Sequence, residues 1–229
     1  MRILASDFDN TIYYLDDEEK NIKNIEAIKR FVANGNIFCI ITGRNYTDLK
    51  NLINEYSITY TYLICEDGAK IFNSVDYCLD TILLDKNDVE RIVNVVEENN
   101  WDYYLDDGYS KTYNYSDCVK VVIYCSDDTK QKEIVKTINK EIPVHVYASR
   151  SHINIINSVV DKEKALKRLF NIEKLDYNSL KVIGDNDNDY EMLKTFDGAV
   201  IKEHHQKLDS LQKPEYETLS DYIEELMKN

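Results

Sequence analysis

The sequence predicts an α/β protein with a doubly wound parallel sheet, interrupted by an inserted segment of α+β type. Three observations support this prediction: short apolar runs that end in polar residues, amphipathic helices between these runs, and a change of pattern in the middle of the chain. Continuous apolar runs are typical of parallel strands that are covered on both faces. Their alternation with helices is typical of doubly wound sheets.

The first 75 residues alternate between strand and helix patterns. Residues 2–7 form an apolar run that ends at Asp7, and residues 37–41 and 62–65 form two more. A helix is predicted between the first two runs, because apolar residues recur there at helical spacing before Gly35: Ile22, Ile25, Ile28 and Phe31. A shorter helix pattern separates the second run from the third.

The pattern changes after about residue 75 and returns near residue 160. Between these points, helix patterns at 87–99 and 129–140 fall among strand patterns at 119–125 and 144–157. Such an order favours an antiparallel sheet with helices packed on it. We therefore predict a core domain of residues 1–75 and 160–229, interrupted by an α+β insert of residues 76–159.

Composition excludes several classes of protein. The net charge of −14 argues against a nucleic-acid or anionic membrane partner, because no basic stripe is present to bind phosphates. No run approaches the roughly 18 apolar residues that span a bilayer, and no signal peptide is expected. Five scattered cysteines without a Cys-x-x-Cys pair suit a reducing cytoplasm and argue against a zinc site. Nothing in the sequence indicates an obligate protein partner.

Four short motifs follow predicted strands or begin a helix. Asp7 and Asp9 lie just past the first strand, where two carboxylates can converge on one cation or can form a simple acidic turn. Thr42 and Gly43 follow the second strand and suit a phosphoryl group, although in isolation they are more typical of a plain helix N-cap turn. Lys162, at the start of a predicted helix, suits a phosphate group but by itself is no more than a solvated charge.

The fourth motif, residues 184–189, is the most specific. It places Asp185, Asn188 and Asp189 directly after an apolar strand. A calcium loop of the EF-hand type is disfavoured, because its sixth and twelfth positions would hold Tyr190 and Phe196 instead of Gly and Glu.

Together these residues resemble the haloacid dehalogenase-like (HAD) superfamily, and within it the Cof-type phosphatases. The match consists of four motifs in the order of the family: Asp7-x-Asp9-x-Thr11, Thr42-Gly43-Arg44, Asp161-Lys162-x-x-Ala165-Leu166, and Gly184-Asp185-x-x-Asn188-Asp189-x-x-Met192. The resemblance includes the turn Asp67-Gly68-Ala69, where the family usually has Asn-Gly-Ala. Asn10 stands where Gly is common, and Asn tolerates positive φ. The resemblance implies a Rossmann-like core with a C2-type cap, which corresponds to the predicted insert.

The resemblance also implies a mechanism and a set of roles. Asp7 would be the nucleophile that forms an aspartyl-phosphate, and Asp9 the general acid and base. The phosphoryl group would be bound by Thr42, Gly43, Lys162 and Asn188. The cofactor would be Mg²⁺, bound by Asp7, by Asp9 through its carbonyl, by Asp185, and by Asp189 directly or through water.

The substrate would be a small phosphorylated metabolite, such as a sugar phosphate or a phosphorylated cofactor. A phosphomutase of the same superfamily and a phospho-accepting regulatory module are the alternatives, and the insert weighs against the second. The insert would close over the site. Its aromatic residues either stack a ring-bearing substrate or serve the core and surface of the insert: Trp101, Tyr103, Tyr104, Tyr109, Tyr113 and Tyr115. Arg150 and His152 are candidates for contacting a second anionic group.

Overall fold

The structure is a computed structural model that describes residues 1–149 and 151–228. Its strands are β1 (Ile3–Asp7), β2 (Ile37–Ile41), β3 (Tyr62–Cys65), β4 (Lys70–Asn73), β5 (Cys78–Thr81), β6 (Tyr103–Asp106), β7 (Lys111–Thr112), β8 (Lys120–Tyr124), β9 (Val144–Ser149), β10 (His152–Asn157), β11 (Leu180–Gly184), β12 (Gly198–Ile201) and β13 (Glu215–Tyr216). Its α-helices are α1 (Glu18–Ala33), α2 (Tyr46–Tyr56), α3 (Lys86–Glu98), α4 (Asp128–Glu141), α5 (Lys162–Glu173), α6 (Tyr190–Thr195) and α7 (Leu219–Lys228).

The larger sheet has eight strands in the order β13-β12-β11-β1-β2-β3-β4-β5. The strands from β13 to β3 are parallel, and β4 and β5 extend this sheet in antiparallel pairs. In the middle of the sheet, Ala5 of β1 pairs with Cys39 on one side and Val182 on the other. All three side chains are fully buried, as expected for parallel strands with helices on both faces. The predicted α/β fold class is confirmed.

Helix α1 shows how one face of this sheet is covered. Ile25, Ile28 and Phe31 are buried against the sheet, as the helical spacing predicts. Ile22 is half exposed, and the adjacent buried positions on that face belong to Asn21 and Asn24. After the helix, Gly35 has a φ of +79°, a left-handed conformation that glycine adopts without steric cost and that ends the helix.

The smaller sheet has five antiparallel strands in the order β7-β6-β8-β10-β9. Helices α3 and α4 bury their apolar faces against it in a separate core, formed by residues such as Ile92, Ile123, Ile138 and Ile153. This second core satisfies the prediction of an antiparallel sheet with packed helices in the middle of the chain.

The two sheets are joined by chain segments on either side of the insert. Strand β5 pairs with β4 in the larger sheet, although the sequence pattern assigns residues 76–159 to the insert. A small apolar cluster of Ala69, Val119, Ile156 and Val160 packs at the junction. We therefore propose that the insert begins after β5, at residue 82, and ends at residue 159. In the described part of the chain, no helix has the length and apolarity that crossing a membrane requires.

Candidate active site

The candidate site lies where β1, β2 and β11 end side by side. Asp7 is the last residue of β1, Thr42 directly follows β2, and Asp185 directly follows β11. Because β1 lies between the other two strands and all three are parallel, their carboxyl ends meet at one edge of the sheet. This edge is where open α/β sheets bind their ligands.

Asp7 is a buried carboxylate in contact with a buried lysine. Its side chain is 9% exposed, and its Oδ1 accepts a hydrogen bond of 2.5 Å from the Lys162 ammonium. Burial raises the pKa of Asp7 well above its usual value, Lys162 opposes this change, and the carboxylates of Asp189 and Asp185 add to it. A second cation beside Asp7, in addition to Lys162, would therefore favour the ionised form of this nucleophile candidate.

Lys162 is held between two carboxylates at the start of α5. The Asp161 side chain caps this helix by accepting from the Lys164 N–H, which fixes the first turn. The Lys162 ammonium lies 2.6 Å from Asp189 Oδ1 in addition to its contact with Asp7. Burial lowers the pKa of Lys162, but these two carboxylates outweigh it and raise the pKa, so the lysine is charged.

Asp189 is fully buried and uses both of its carboxylate oxygens within the protein. Oδ1 accepts from Lys162, and Oδ2 accepts from the backbone N–H groups of Asp185 and Asn186. Gly184 makes this arrangement possible, since a Cβ there would lie 2.5 Å from the Asp189 carboxylate carbon. Asp189 therefore orients Lys162 and the loop that carries Asp185.

The residues fit a divalent cation. One carboxylate oxygen from each of Asp7, Asp185 and Asp189 lies within 4.8 Å of the other two. Hard oxygen donors of this kind suit Mg²⁺. Thr11 donates a hydrogen bond of 3.2 Å to Asp185 Oδ1, and burial raises the pKa of Asp185 to about 6, with Asp189 adding to the effect. Since the Asp189 oxygens already have partners, Asp7 and Asp185 would hold the ion directly.

The Asp9 carboxylate lies outside this group of three. It lines the cavity above Asp7 but forms a two-point ion pair with Arg44, whose Nε and Nη2 lie 2.9 Å and 2.6 Å from its oxygens. The following residue, Asn10, has a φ of +60°, a left-handed conformation that Asn adopts more readily than most other non-glycine residues. The prediction that Asp9 binds the metal through its carbonyl stays a prediction.

Thr42 and Gly43 line the same cavity. The Thr42 hydroxyl accepts a hydrogen bond from the Arg44 N–H at 3.1 Å, which leaves its own proton free to be donated. Gly43 packs closely against the Asp67 carboxylate. A Cβ at this position would lie only 3.0 Å from Asp67 Oδ1. Asn188 also contacts Asp67, donating from its Nδ2 at 3.2 Å.

The insert contributes residues that the sequence analysis did not identify. Lys120 of β8 and Tyr147 of β9 both reach Asp67 from the smaller sheet. Lys120 also lies 2.5 Å from Glu66, and burial raises the pKa of Glu66 to about 7 against the opposing effect of Lys120. The one available signal for these contacts in the sequence was Asp67 itself, which places a negative charge where the Asn-Gly-Ala turn of the resembled family has Asn.

The aromatic residues of the insert mostly serve its structure. Trp101, Tyr103 and Tyr115 pack against the core of the insert, and Tyr113 is 98% exposed. The Tyr109 ring packs edge to face against Tyr46 and Phe72 of the larger domain.

Tyr104 does line the cavity of about 500 Å³ above Asp7, together with His152 of β10. Arg150, the other residue predicted to contact an anionic group, lies outside the described residues.

The site combines a buried carboxylate, a buried lysine and a carboxylate pair that could hold a cation, all at the ends of parallel strands. This arrangement is typical of enzymes that bind and transfer a phosphoryl group. A family profile described as haloacid dehalogenase-like hydrolase matches residues 4–118 and 105–208. The chain belongs to this family and is an enzyme of it, which confirms the resemblance seen in the four motifs.

The chain is also similar to individual proteins and to solved structures. An uncharacterised protein of Mycoplasma capricolum is 29% identical over 238 residues, covering 85% of this chain and 88% of its own. An HMP-PP phosphatase of Yersinia enterocolitica is 29% identical over 115 residues, covering 49% and 41%. The structure of BT1666 from Bacteroides thetaiotaomicron, described among phosphatases of the HAD superfamily, superimposes with a TM-score of 0.82 at 15% identity, covering 100% and 94%.

Proposed function

We propose that this protein is a Mg²⁺-dependent phosphatase that hydrolyses a small phosphorylated metabolite, such as a sugar phosphate, through an aspartyl-phosphate on Asp7. The observation that carries the proposal is the contact of the buried Asp7 with Lys162 beside Asp185. The relatives named as phosphatases favour phosphoryl transfer to water among the reactions of a hydrolase family. The five free cysteines favour a reducing cytoplasm as its location.

Asp7 is the nucleophile in this proposal. Its carboxylate attacks phosphorus, and the bond from phosphorus to the leaving oxygen breaks, which divides one difficult displacement into two easier ones. Lys162 and the Thr42 hydroxyl bind the non-bridging oxygens and offset their charge. A bound Mg²⁺ supplies electrostatic stabilisation of the phosphoryl charge and lowers the pKa of the carboxylates around it.

Asp9 is the general acid and base. Once it has given its proton to the leaving oxygen, it is a carboxylate, and Arg44 is positioned to stabilise that charge through two hydrogen bonds. It then takes a proton from the water that hydrolyses the aspartyl-phosphate. General acid–base catalysis of this kind contributes on the order of 10²–10⁴-fold.

A phosphate-release assay tests the proposal. Wild-type protein is incubated with p-nitrophenyl phosphate and a panel of sugar and cofactor phosphates, with Mg²⁺ and with a chelator, and inorganic phosphate is measured. We expect release only with metal, and a loss of at least about 10³-fold in Asp7→Asn. Asp102→Asn, at an exposed aspartate of the insert, is the matched control and is expected to retain activity. Full activity of Asp7→Asn would exclude Asp7 as the nucleophile.

A further inference from the structure

The turn Glu66–Gly68, which follows β3, has an unusual backbone. Three consecutive residues have positive φ: Glu66 at 54°, Asp67 at 56° and Gly68 at 112°. Two of them are not glycine, so this conformation is strained. Strain of this kind persists only where the surrounding structure holds it, and it concentrates at functional sites.

This turn contacts each segment that carries a proposed phosphate-binding residue. The Asp67 N–H donates to the Thr42 carbonyl at 2.9 Å, and the Asp67 carboxylate packs against Gly43. The same carboxylate accepts from Asn188. Gly68 packs so closely on the start of α5, where Lys162 lies, that a Cβ would be 2.7 Å from the Asp161 carbonyl oxygen. The turn Glu66–Gly68 therefore contacts the segments of Thr42, Lys162 and Asn188 at the same time.

Two side chains of the insert, Lys120 and Tyr147, contact the turn Glu66–Gly68. The buried Lys120 ammonium lies 2.5 Å from Glu66 Oε2 and 3.2 Å from Asp67 Oδ2, and it donates to the Gly43 carbonyl at 2.8 Å. The Tyr147 hydroxyl donates to Asp67 Oδ2. Burial would raise the pKa of Asp67, but Lys120 and Tyr147 outweigh it and lower the pKa.

We propose that Lys120 and Tyr147 are positioning residues, through which the insert fixes the turn Glu66–Gly68 and, with it, the phosphate-binding residues Thr42 and Asn188. The inference rests on the proposed function, because it concerns the same site. Both residues also line the cavity above Asp7, and the positioning role acts through the turn without requiring contact with the substrate. Their role follows from the two buried carboxylates, which repel one another unless Lys120 lies between them.

Four variants test this inference: Lys120→Met, Lys120→Arg, Tyr147→Phe and the double variant Glu66→Gln/Lys120→Met. Lys132→Met on α4 and Tyr113→Phe are matched controls, since both residues are exposed. Three quantities are measured on the full chain: kcat and KM with p-nitrophenyl phosphate, the Kd of inorganic phosphate by calorimetry with Mg²⁺, and thermal unfolding.

We expect Lys120→Met to lower kcat/KM about 100-fold and to weaken phosphate binding, because small misplacements of binding groups have effects of this size. Tyr147→Phe keeps the charges and should lose about 10-fold, the equivalent of one hydrogen bond to a charged group. Lys120→Arg should retain more activity than Lys120→Met. The double variant should regain thermal stability without regaining phosphate affinity, which separates positioning from stability.

The outcomes distinguish this inference from the proposed function. If the wild-type protein releases phosphate but both Lys120→Met and Tyr147→Phe match it in kcat/KM and in phosphate affinity, the positioning role is wrong and the phosphatase stands. If wild type hydrolyses no ester, the phosphatase proposal fails, and phosphate calorimetry still decides the positioning role. Should Lys120→Met fail to fold, Tyr147→Phe and the double variant carry the test. Activity that returns with stability in the double variant would also overturn the inference.

Discussion

At the scale of single residues, the candidate site is organised around one buried ammonium group. Lys162 is 1% exposed and lies within 2.6 Å of both Asp7 and Asp189. A buried charge is tolerable only when it is paired, and its two partners differ in role. Lys162 contacts Asp7 through Oδ1 alone, whereas both oxygens of Asp189 accept hydrogen bonds from Lys162 or from backbone N–H groups. We therefore propose Asp189 as the structural partner of Lys162 and Asp7 as the reactive one.

This division predicts the effect of Asp189→Ala. Removing one partner of a buried ion pair typically costs 3–5 kcal/mol, and two backbone N–H groups also lose their acceptor. Since Asp7 continues to pair with Lys162, we expect the free energy of unfolding to fall by about 3 kcal/mol, measured by urea denaturation in chelator. Asp187→Ala, which removes only an exposed pair with Lys207, should cost less than about 1 kcal/mol. Equal losses in the two variants would contradict the assignment.

At the scale of elements, the segment after β1 is held by a helix residue instead of by regular pairing. The buried Asn24 of α1 donates to the carbonyls of Thr11 and Ile12 and accepts from the Ser220 N–H at the start of α7. One side chain thereby satisfies three backbone groups from two distant segments. Thr11 in turn donates to Asp185, so Asn24 links the packing of α1 and α7 to the candidate metal site.

We therefore predict that Asn24→Ala strongly lowers the free energy of unfolding, although it changes only one polar side chain. It leaves buried backbone groups without partners, each at a cost of about 1–3 kcal/mol, so a loss of roughly 3 kcal/mol is expected in urea denaturation. Asn87→Ala, at an exposed position in the first turn of α3, is the control and should change stability by less than about 0.5 kcal/mol. A loss no greater in Asn24→Ala than in the control would show that water replaces these bonds.

Asn24 also illustrates what periodicity predicts and what it does not. The apolar spacing of Ile25, Ile28 and Phe31 predicted α1 and its buried face. The same pattern assigned Ile22 to that face, although Ile22 is 50% exposed. Periodicity counts apolar side chains and does not register a polar side chain that is buried because the local backbone needs partners. An amide such as Asn24 therefore becomes visible only in three dimensions.

At the scale of the whole molecule, the fold class followed from the sequence because β2 and β3 are continuous apolar runs and β1 and β11 are mostly apolar. The placement of β5 did not, since a four-residue strand at the edge of a sheet has no distinctive pattern. The contacts of Lys120 and Tyr147 could not be predicted from the sequence either. Lys120 pairs with Glu66 and Asp67, which lie 54 and 53 positions earlier in the other domain, and no local sequence pattern indicates such a pair. The order of the motifs predicted which strand ends form the site. The contacts between the two domains depend on tertiary packing, which the motifs do not describe.

The last prediction concerns stabilisation of the whole protein by Mg²⁺. Burial raises the pKa of both Asp7 and Asp185, and the nearby Asp189 carboxylate adds to both changes, so a cation that binds these groups in the folded state should oppose unfolding. At a concentration 100 times its Kd, the gain is about 3 kcal/mol, or roughly 5–10 °C in Tm for a chain of this size. Thermal unfolding is compared in chelator, in MgCl₂ and in NaCl of equal ionic strength, for wild type and Asp185→Asn. We expect the MgCl₂ shift in wild type alone. An equal shift in NaCl would assign the effect to screening of the −14 net charge.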